Sequence, residues 1–398
     1  MTMVAGHPGA RLGAHPGAVA ATVRDPRLDV FRGLAMFIIL MAHTPGNFLT
    51  LWIPARFGFS DATEIFVFCS GMASAIAFGR IFETRGWLLG TARVAFRCWQ
   101  VYWAHIGTFL VVAMAMAAID LYGDFAKSYV GSLNLVPFFQ RTPQQLVGLL
   151  TLTYVPNYFD ILPMYLGVLA MMPLVMALAL VSRWLVAAFV AGVWLAANWG
   201  GLGLPAEPWS NRQWFFNPFG WQLIFFTGFA FMRGWIPAPP VRVWLLVVAG
   251  VIVLATVPFA YYRILNAVPE LRAAATAIKF LTTKSDFGLL RYVHFLALAY
   301  LAWSAAGVGG HRFRPSGVGL ASALWAQVLE VVQKVGQQSL AVFMFSMVMA
   351  RMMGFAMDLA GRATVTVLTV NLIGAASLVL VAYGAAWFKS HPWKRRAA

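Results

Sequence analysis

The stretch "RLDVFRGLAMFIILMAHTPGN" (residues 27–47) decides the fold. From Val30 to Ala42 it is apolar except for Arg32, and it closes on Pro45-Gly46, which cannot continue a helix. A run of about 20 such residues is long enough to cross a bilayer. Apolar runs recur along the chain, and the reading expects about ten spans. They lie near 29–47, 62–80, 98–119, 161–181, 184–199, 221–236, 242–262, 289–307, 337–357 and 365–387. The composition agrees. Of 398 residues, 61% are hydrophobic and 11% are charged, against about 25% charged in a soluble domain. So little charge cannot cover a water-facing surface, and lipid must solvate much of the exterior. The expected class is all-α: a polytopic membrane protein whose helices enclose a central cavity or tunnel.

The net charge is +16. In a soluble protein that would suggest nucleic acid. Here the bases lie between apolar spans, so they read as topogenic signals and contacts to anionic membrane lipids, with no nucleic-acid partner. Counting Lys and Arg on alternate loops puts both termini in the cytoplasm. The 80–97 loop and the "KSHPWKRR" end are the strongest votes, and the 263–290 loop votes against. Cys69 and Cys98 sit in apolar stretches and read as buried thiols. No His/Cys spacing suggests a metal site.

Residues 1–26 are rich in Gly, Ala and Pro, with a near-duplicated "GHPGA … AHPGA". They read as a disordered cytoplasmic tail, with His7 and His15 as bystanders. Residues 27–388 read as a single membrane domain and 389–398 as a basic cytoplasmic tail. Segments 120–160 and 263–290 are too long for simple turns and are expected to fold back at a cavity mouth. The stretch 318–335 has the pattern of an amphipathic helix on the cytoplasmic face.

Three polar residues in the first span carry chemistry. Ionisable groups in a span are costly and mark function by default. Asp29 is three residues before Arg32 and placed to pair with it. Arg32 and His43 are eleven residues apart, on nearly one helix face and ~16 Å apart along the axis. With the N-terminus inside, Arg32 lies at the cytoplasmic mouth and His43 deep towards the outer end. A cation there suits an anionic donor such as a CoA ester. The imidazole suits removal of a hydroxyl proton. The bland alternative is an interfacial ion pair and a helix-capping His43. The next span opens "GFSDATEIFVFCSG" (58–71). Its Asp61 and Glu64 form a capping pattern, and either is a candidate to orient His43 as a carboxylate orients an imidazole in a triad.

At this point the residues resemble a family. The Arg32-to-His43 spacing is similar to that of the acyltransferase-3 membrane acyltransferases. The ordered set "RDPRLDVFRGLAMFIILMAHTPGN", "GFSDATEIFVFCSG", "NPFGWQLIFFTG" (217–228), "RYVHFLALAYLAW" (291–303) and "GQQSLAVFMFS" (336–346) resembles the OpgC family. The resemblance implies an enzyme, an O-acyltransferase of the inner membrane. It implies transfer of a succinyl or other short acyl group from cytoplasmic acyl-CoA to hydroxyls of a periplasmic glucan. Succinyl-CoA is then a co-substrate, and no cofactor is held permanently. By position His43 matches the family's catalytic histidine, Arg32 its paired arginine, and Asp61 and Glu64 its acidic pair. A succinyl donor further requires a cation for its distal carboxylate, for which arginine is the better geometric match.

Further substrate-binding candidates sit near the outer side. Asn217 and Gln222 suit sugar hydroxyls or an oxyanion, and Trp221 suits stacking on a pyranose. A capped helix start explains the three equally well. His294 is a second-base candidate, with a packed structural histidine as the alternative. Tyr154 and Tyr158 are candidates to line a sugar site. Capping accounts for Asp160. His105 reads as structural, and His311 and His391 as surface. The competing class is a transporter or flippase of an acylated sugar or lipid-linked glycan, in which the buried charges would relay protons. The acyl group, the glucan type, a covalent acyl-histidine and the oligomeric state are left open by the sequence.

Overall fold

The computed structural model describes residues 25–123 and 125–394. Most of the 1–26 tail, and residues 395–398 of the basic tail, lie outside the described residues. Ten long helices fall where the ten apolar runs predict them, and among the described residues no β-strand longer than an isolated bridge is present. They are α1 (Pro26–His43), α2 (Ala62–Ser74), α3 (Trp87–Tyr122), α4 (Ile161–Val181), α5 (Arg183–Trp199), α6 (Pro218–Met232), α7 (Val243–Ala260), α8 (Leu289–Ala306), then α10 (Ser339–Ala360) and α11 (Thr364–Lys389). Between the last two and α8 lies α9 (Leu320–Gln337), the helix expected near 318–335. Helix α2 runs on through a π-helical turn, Ala75–Gly79, into Arg80–Arg85.

Seven of these helices are long and apolar enough to cross a membrane. Helices α5 and α6 are apolar but shorter, and α1 carries Arg27, Asp29 and Arg32 in its first two turns. The chain is an all-α polytopic membrane protein.

Local signals set the helix ends. Asp25 caps α1 by accepting from the Arg27 N–H, and Pro26 stands at the first position, where a missing N–H costs nothing. At the other end, Thr44 and Pro45 stop the helix just after His43. Asp61 and Glu64 form a reciprocal capping box at the start of α2: Asp61 Oδ1 accepts from Thr63 N at 2.7 Å, and Glu64 Oε2 accepts from Asp61 N at 2.7 Å.

Between helices the packing runs backbone to backbone. A Cβ on Gly33 of α1 would meet Val332 O of α9 at 2.0 Å, and one on Gly336 of α9 would meet Asp29 O of α1 at 2.0 Å. Helices α2 and α6 repeat the device: a Cβ on Gly71 would meet Phe225 O at 1.9 Å and one on Gly228 would meet Phe68 O at 2.3 Å. In lipid there is little hydrophobic drive between helices, so small residues that permit close van der Waals contact carry the association.

The connections after α1, α3, α5 and α7 meet at one end of the bundle. As the sequence predicts for 120–160, that segment folds back: Leu133, Leu135, Phe138, Leu149 and Tyr154 bury against Phe109 and Val112 of α3. It is latched to the 200–217 segment, where Arg212 donates to Val155 O at 2.7 Å and to Asn157 Oδ1 at 3.1 Å.

Candidate active site

His43 is the last residue of α1, at the end where these connections meet. Its Nδ1 lies 2.8 Å from Ile39 O, one turn back. A carbonyl oxygen can only accept, so Nδ1 carries the proton and the lone pair is on Nε2. Among the described residues no group hydrogen-bonds Nε2. The imidazole meets Tyr158 edge to face, with ring centroids 5.4 Å apart. On that same Tyr158 ring lies the Arg351 guanidinium of α10, its carbon 3.9 Å from the centroid. The Tyr158 hydroxyl donates to Met347 O at 2.5 Å, which ties the ring to α10.

Two cavities border His43. The first, about 360 Å³, has an apolar floor that includes Ile39, Phe66, Ile161 and Phe343; its upper wall includes Asn157, Tyr158, Asp160, Phe216 and Lys284. The second, about 390 Å³, is bordered by Thr44, Asn47, Thr50, Arg56 and Arg351. His43 lines both.

The carboxylate expected against His43 is not there, and this corrects the sequence reading. Asp61 Oδ2 pairs with Lys284 Nζ at 2.5 Å, and Glu64 Oε1 pairs with Arg291 at 2.5 Å. Both acids also close the capping box, so their oxygens are committed, and the Ile39 carbonyl orients the imidazole instead. Burial by itself would push the Asp61 carboxyl up, but the Lys284 and Arg291 cations overcome it and hold the group well below the usual carboxylate range.

At the far end of α1, Arg32 donates to Ser339 at the start of α10, and Asp29 accepts from Gln337 Nε2 at 3.3 Å. Neither borders the His43 cavities. The separation of the two ends predicted from spacing is what the helix provides.

Four further candidates serve the scaffold. Asn217 caps α6 through Phe219 N and spends its amide hydrogens on Leu202 O and Asp286 Oδ1. Gln222 is fully buried and donates to Val190 O and Phe219 O. Trp221, also fully buried, donates from Nε1 to Lys284 O at 2.8 Å. His294 takes hydrogen bonds from the Ser60 N–H and hydroxyl at Nδ1, while its Nε2 abuts Gly58. None of the four lines either cavity; their hydrogen bonds go mainly to buried backbone, while Gln222 Oε1 and His294 Nε2 are buried without a partner.

Asn217 and Trp221, with Asn198 and Trp194 of α5, place Lys284. Asn217 N donates to Ser285 O at 3.0 Å, Trp221 holds Lys284 O, Asn198 holds Asp286 O at 2.9 Å and Trp194 holds Phe287 O at 2.8 Å. Four consecutive carbonyls, 284–287, are thus pinned to α5 and α6. The 263–290 segment reaches the cavity as expected, and its lysine projects into the wall.

The chain belongs to the OpgC protein family. The family model matches residues 24–390, nearly the whole chain. No curated protein and no solved structure matches it.

The site also contains groups that the sequence reading passed over. Lys284 lies in the 263–290 segment, whose bases the sequence reading counted only for topology. Arg351, not singled out there, sits twelve residues into α10. Asp160 was credited with capping α4, yet its carboxylate makes no cap: Oδ1 accepts from Phe215 N at 3.0 Å, and the residue borders the first cavity. Burial, only partly offset by that N–H and by Arg212, raises the Asp160 carboxyl to about 6. Tyr158 does line the site; Tyr154 is fully buried and bonds Asn134 O instead.

Proposed function

We propose that this OpgC protein is a transmembrane O-acyltransferase. It moves a succinyl or similar short acyl group from cytoplasmic acyl-CoA to a hydroxyl of a periplasmic glucan in the inner membrane. Both termini are cytoplasmic in this reading. The observation that carries it is His43: an imidazole with its lone pair on Nε2, at the junction of two cavities, oriented by backbone and an aromatic ring. A donor enters from the Arg32 end, where Arg32 and the arginines of 80–97 meet the anionic groups of CoA. The acceptor enters at the His43 end, where Tyr158, Phe215 and Phe216 give apolar faces for a sugar.

In the transfer, Nε2 takes the hydroxyl proton as the oxygen attacks the thioester carbonyl. The C–S bond then breaks, the ester remains on the glucan, and the thiolate leaves as CoA thiol with the proton returned by the imidazolium. The donors that border the first cavity are the Lys284 ammonium and the Asn157 amide, whose Oδ1 is already engaged by Arg212. They suit the oxyanion and the sugar hydroxyls, the work the sequence reading gave to Asn217 and Gln222.

The test is mass spectrometry of periplasmic glucans from cells with the gene, without it, and with His43→Ala. Acyl mass increments present only with the wild-type gene are expected. Glucans that keep their acyl groups in all three strains would overturn the acceptor assignment. Turnover of acyl-CoA by purified protein in detergent, where no transport is possible, separates transfer from the transporter reading.

A further inference from the structure

Arg351 of α10 lies against the same Tyr158 ring as His43 and borders one cavity with it. It stands twelve residues into the 22-residue α10, where an arginine is costly. Four other bases of this end are committed: Lys284 to Asp61, Arg291 to Glu64, Arg212 to Glu207 and Arg362 to Asp358. Among the described residues no carboxylate is within ion-pairing distance of Arg351. Its Nε is buried without a hydrogen-bond partner. The guanidinium is held in place by stacking on Tyr158, whose hydroxyl is anchored on the same helix at Met347. The cavity it borders with His43 carries a second arginine, Arg56, and no Asp or Glu.

A guanidinium fixed on an aromatic ring, with its Nε buried and unpartnered, in a basic cavity is a receptor for a carboxylate. Its distance from the candidate base sets the ligand. His43 and Arg351 both contact the Tyr158 ring, with the imidazole centroid 5.4 Å and the guanidinium carbon 3.9 Å from the ring centroid. The carbonyl and carboxylate carbons of a four-carbon dicarboxylic acyl group are three C–C bonds apart, the same scale. We propose that Arg351 receives the terminal carboxylate of the acyl group while the thioester carbonyl lies at His43, and so selects a dicarboxylic acyl donor over an uncharged one. This rests on the acyl-transfer reading above and adds to it the residue that reads the far end of the acyl chain.

The experiment uses the detergent-purified full chain, wild type, Arg351→Gln and Arg351→Lys, with succinyl-CoA and with butyryl-CoA, an uncharged donor of the same length. Transfer to glucan and the melting shift produced by each donor are measured together. The wild type is expected to prefer succinyl-CoA. Arg351→Gln should lose about 100-fold with succinyl-CoA, the scale of one charge-assisted bidentate contact, while its butyryl transfer stays within a few-fold. Arg351→Lys should keep part of the preference. Equal losses with both donors, or no loss, would overturn the assignment. If Arg351→Gln does not fold, the preference retained by Arg351→Lys decides: unchanged discrimination speaks against a bidentate reader and reduced discrimination for it. If the wild type transfers neither group, the acyl-transfer reading fails on its own. A melting shift larger for succinyl-CoA than for butyryl-CoA, and lost in the glutamine variant, would then still assign the carboxylate site, and its absence would end it.

Discussion

Two charged clusters lie at the same end of the bundle and differ in one respect. In the first, Asp61 meets Lys284 and Glu64 meets Arg291, with both acids also closing the capping box of α2. In the second, His43 meets the Tyr158 ring edge to face and Arg351 lies over the same ring, and among the described residues no acid joins them by hydrogen bond or salt bridge. In the first, each carboxylate meets a cation, and of the four only Lys284 also borders the first cavity. The second carries a lone pair and a cation that need a partner. In a membrane protein, where every ionisable group is expensive, the unsatisfied cluster is the one to assign chemistry.

The sharpest way to break this contrast is to cut each cluster in turn. His43→Ala should lower acyl transfer by about 10²- to 10⁴-fold, the usual contribution of a positioned general base, with the melting temperature in detergent almost unchanged. Glu64→Gln should do the reverse. It leaves the Arg291 guanidinium buried beside an uncharged amide, which costs roughly 3–5 kcal/mol. Folded yield and melting temperature should fall, and whatever protein folds should retain most of its rate per molecule. A Glu64→Gln protein of normal stability and no activity would move the acid back into the chemistry.

A smaller effect tests Asp160. Its folded carboxyl is raised from the ordinary 3.8 to about 6 by burial. Below the lower value both folded and unfolded chains hold the proton. As pH rises to about 6 the unfolded chain loses it first, so the stability tied to this group is lost over that window. Asp160→Asn can still accept from Phe215 N and escapes the loss. Above neutral pH it should melt higher than wild type, by up to about 3 kcal/mol of stability, and the gap should close towards pH 4. A gap that does not change with pH would mean that Asp160 is not buried in this way. The mildest change, Trp221→Phe, removes one hydrogen bond to the Lys284 carbonyl, about 1 kcal/mol. It should loosen the 284–287 strap enough to raise KM for the glucan more than it lowers kcat.

How much of this was legible in the sequence depends on range. The helices were, because hydropathy acts over 20 adjacent residues. Arg32 and His43 were also legible, since both sit on one helix and 3.6-residue geometry fixes their separation. What failed were assignments that need partners from distant parts of the chain. Asp61 and Glu64 follow His43 closely, and proximity in sequence suggested contact. Their cations come from residues 284 and 291, more than 220 positions away. Asn217, Trp221 and Gln222 have the side chains of a sugar site, but buried backbone carbonyls claim them first, and no local pattern announces that. Arg351 was hidden for the opposite reason: its meaning lies in the acid that is missing beside it.

The glycine contact between α1 and α9 has a consequence at the other end of α1. With Gly33 against Val332 and Gly336 against Asp29, the helix can neither slide nor roll at that point. Ten residues further on sits His43. The imidazole's elevation and bearing are therefore surveyed from a benchmark near the opposite end of the rod. Inserting a single alanine anywhere between Gly33 and Ile39 would lift the ring by about 1.5 Å and swing it through roughly 100°, out of line with both cavities, without altering one residue that touches them.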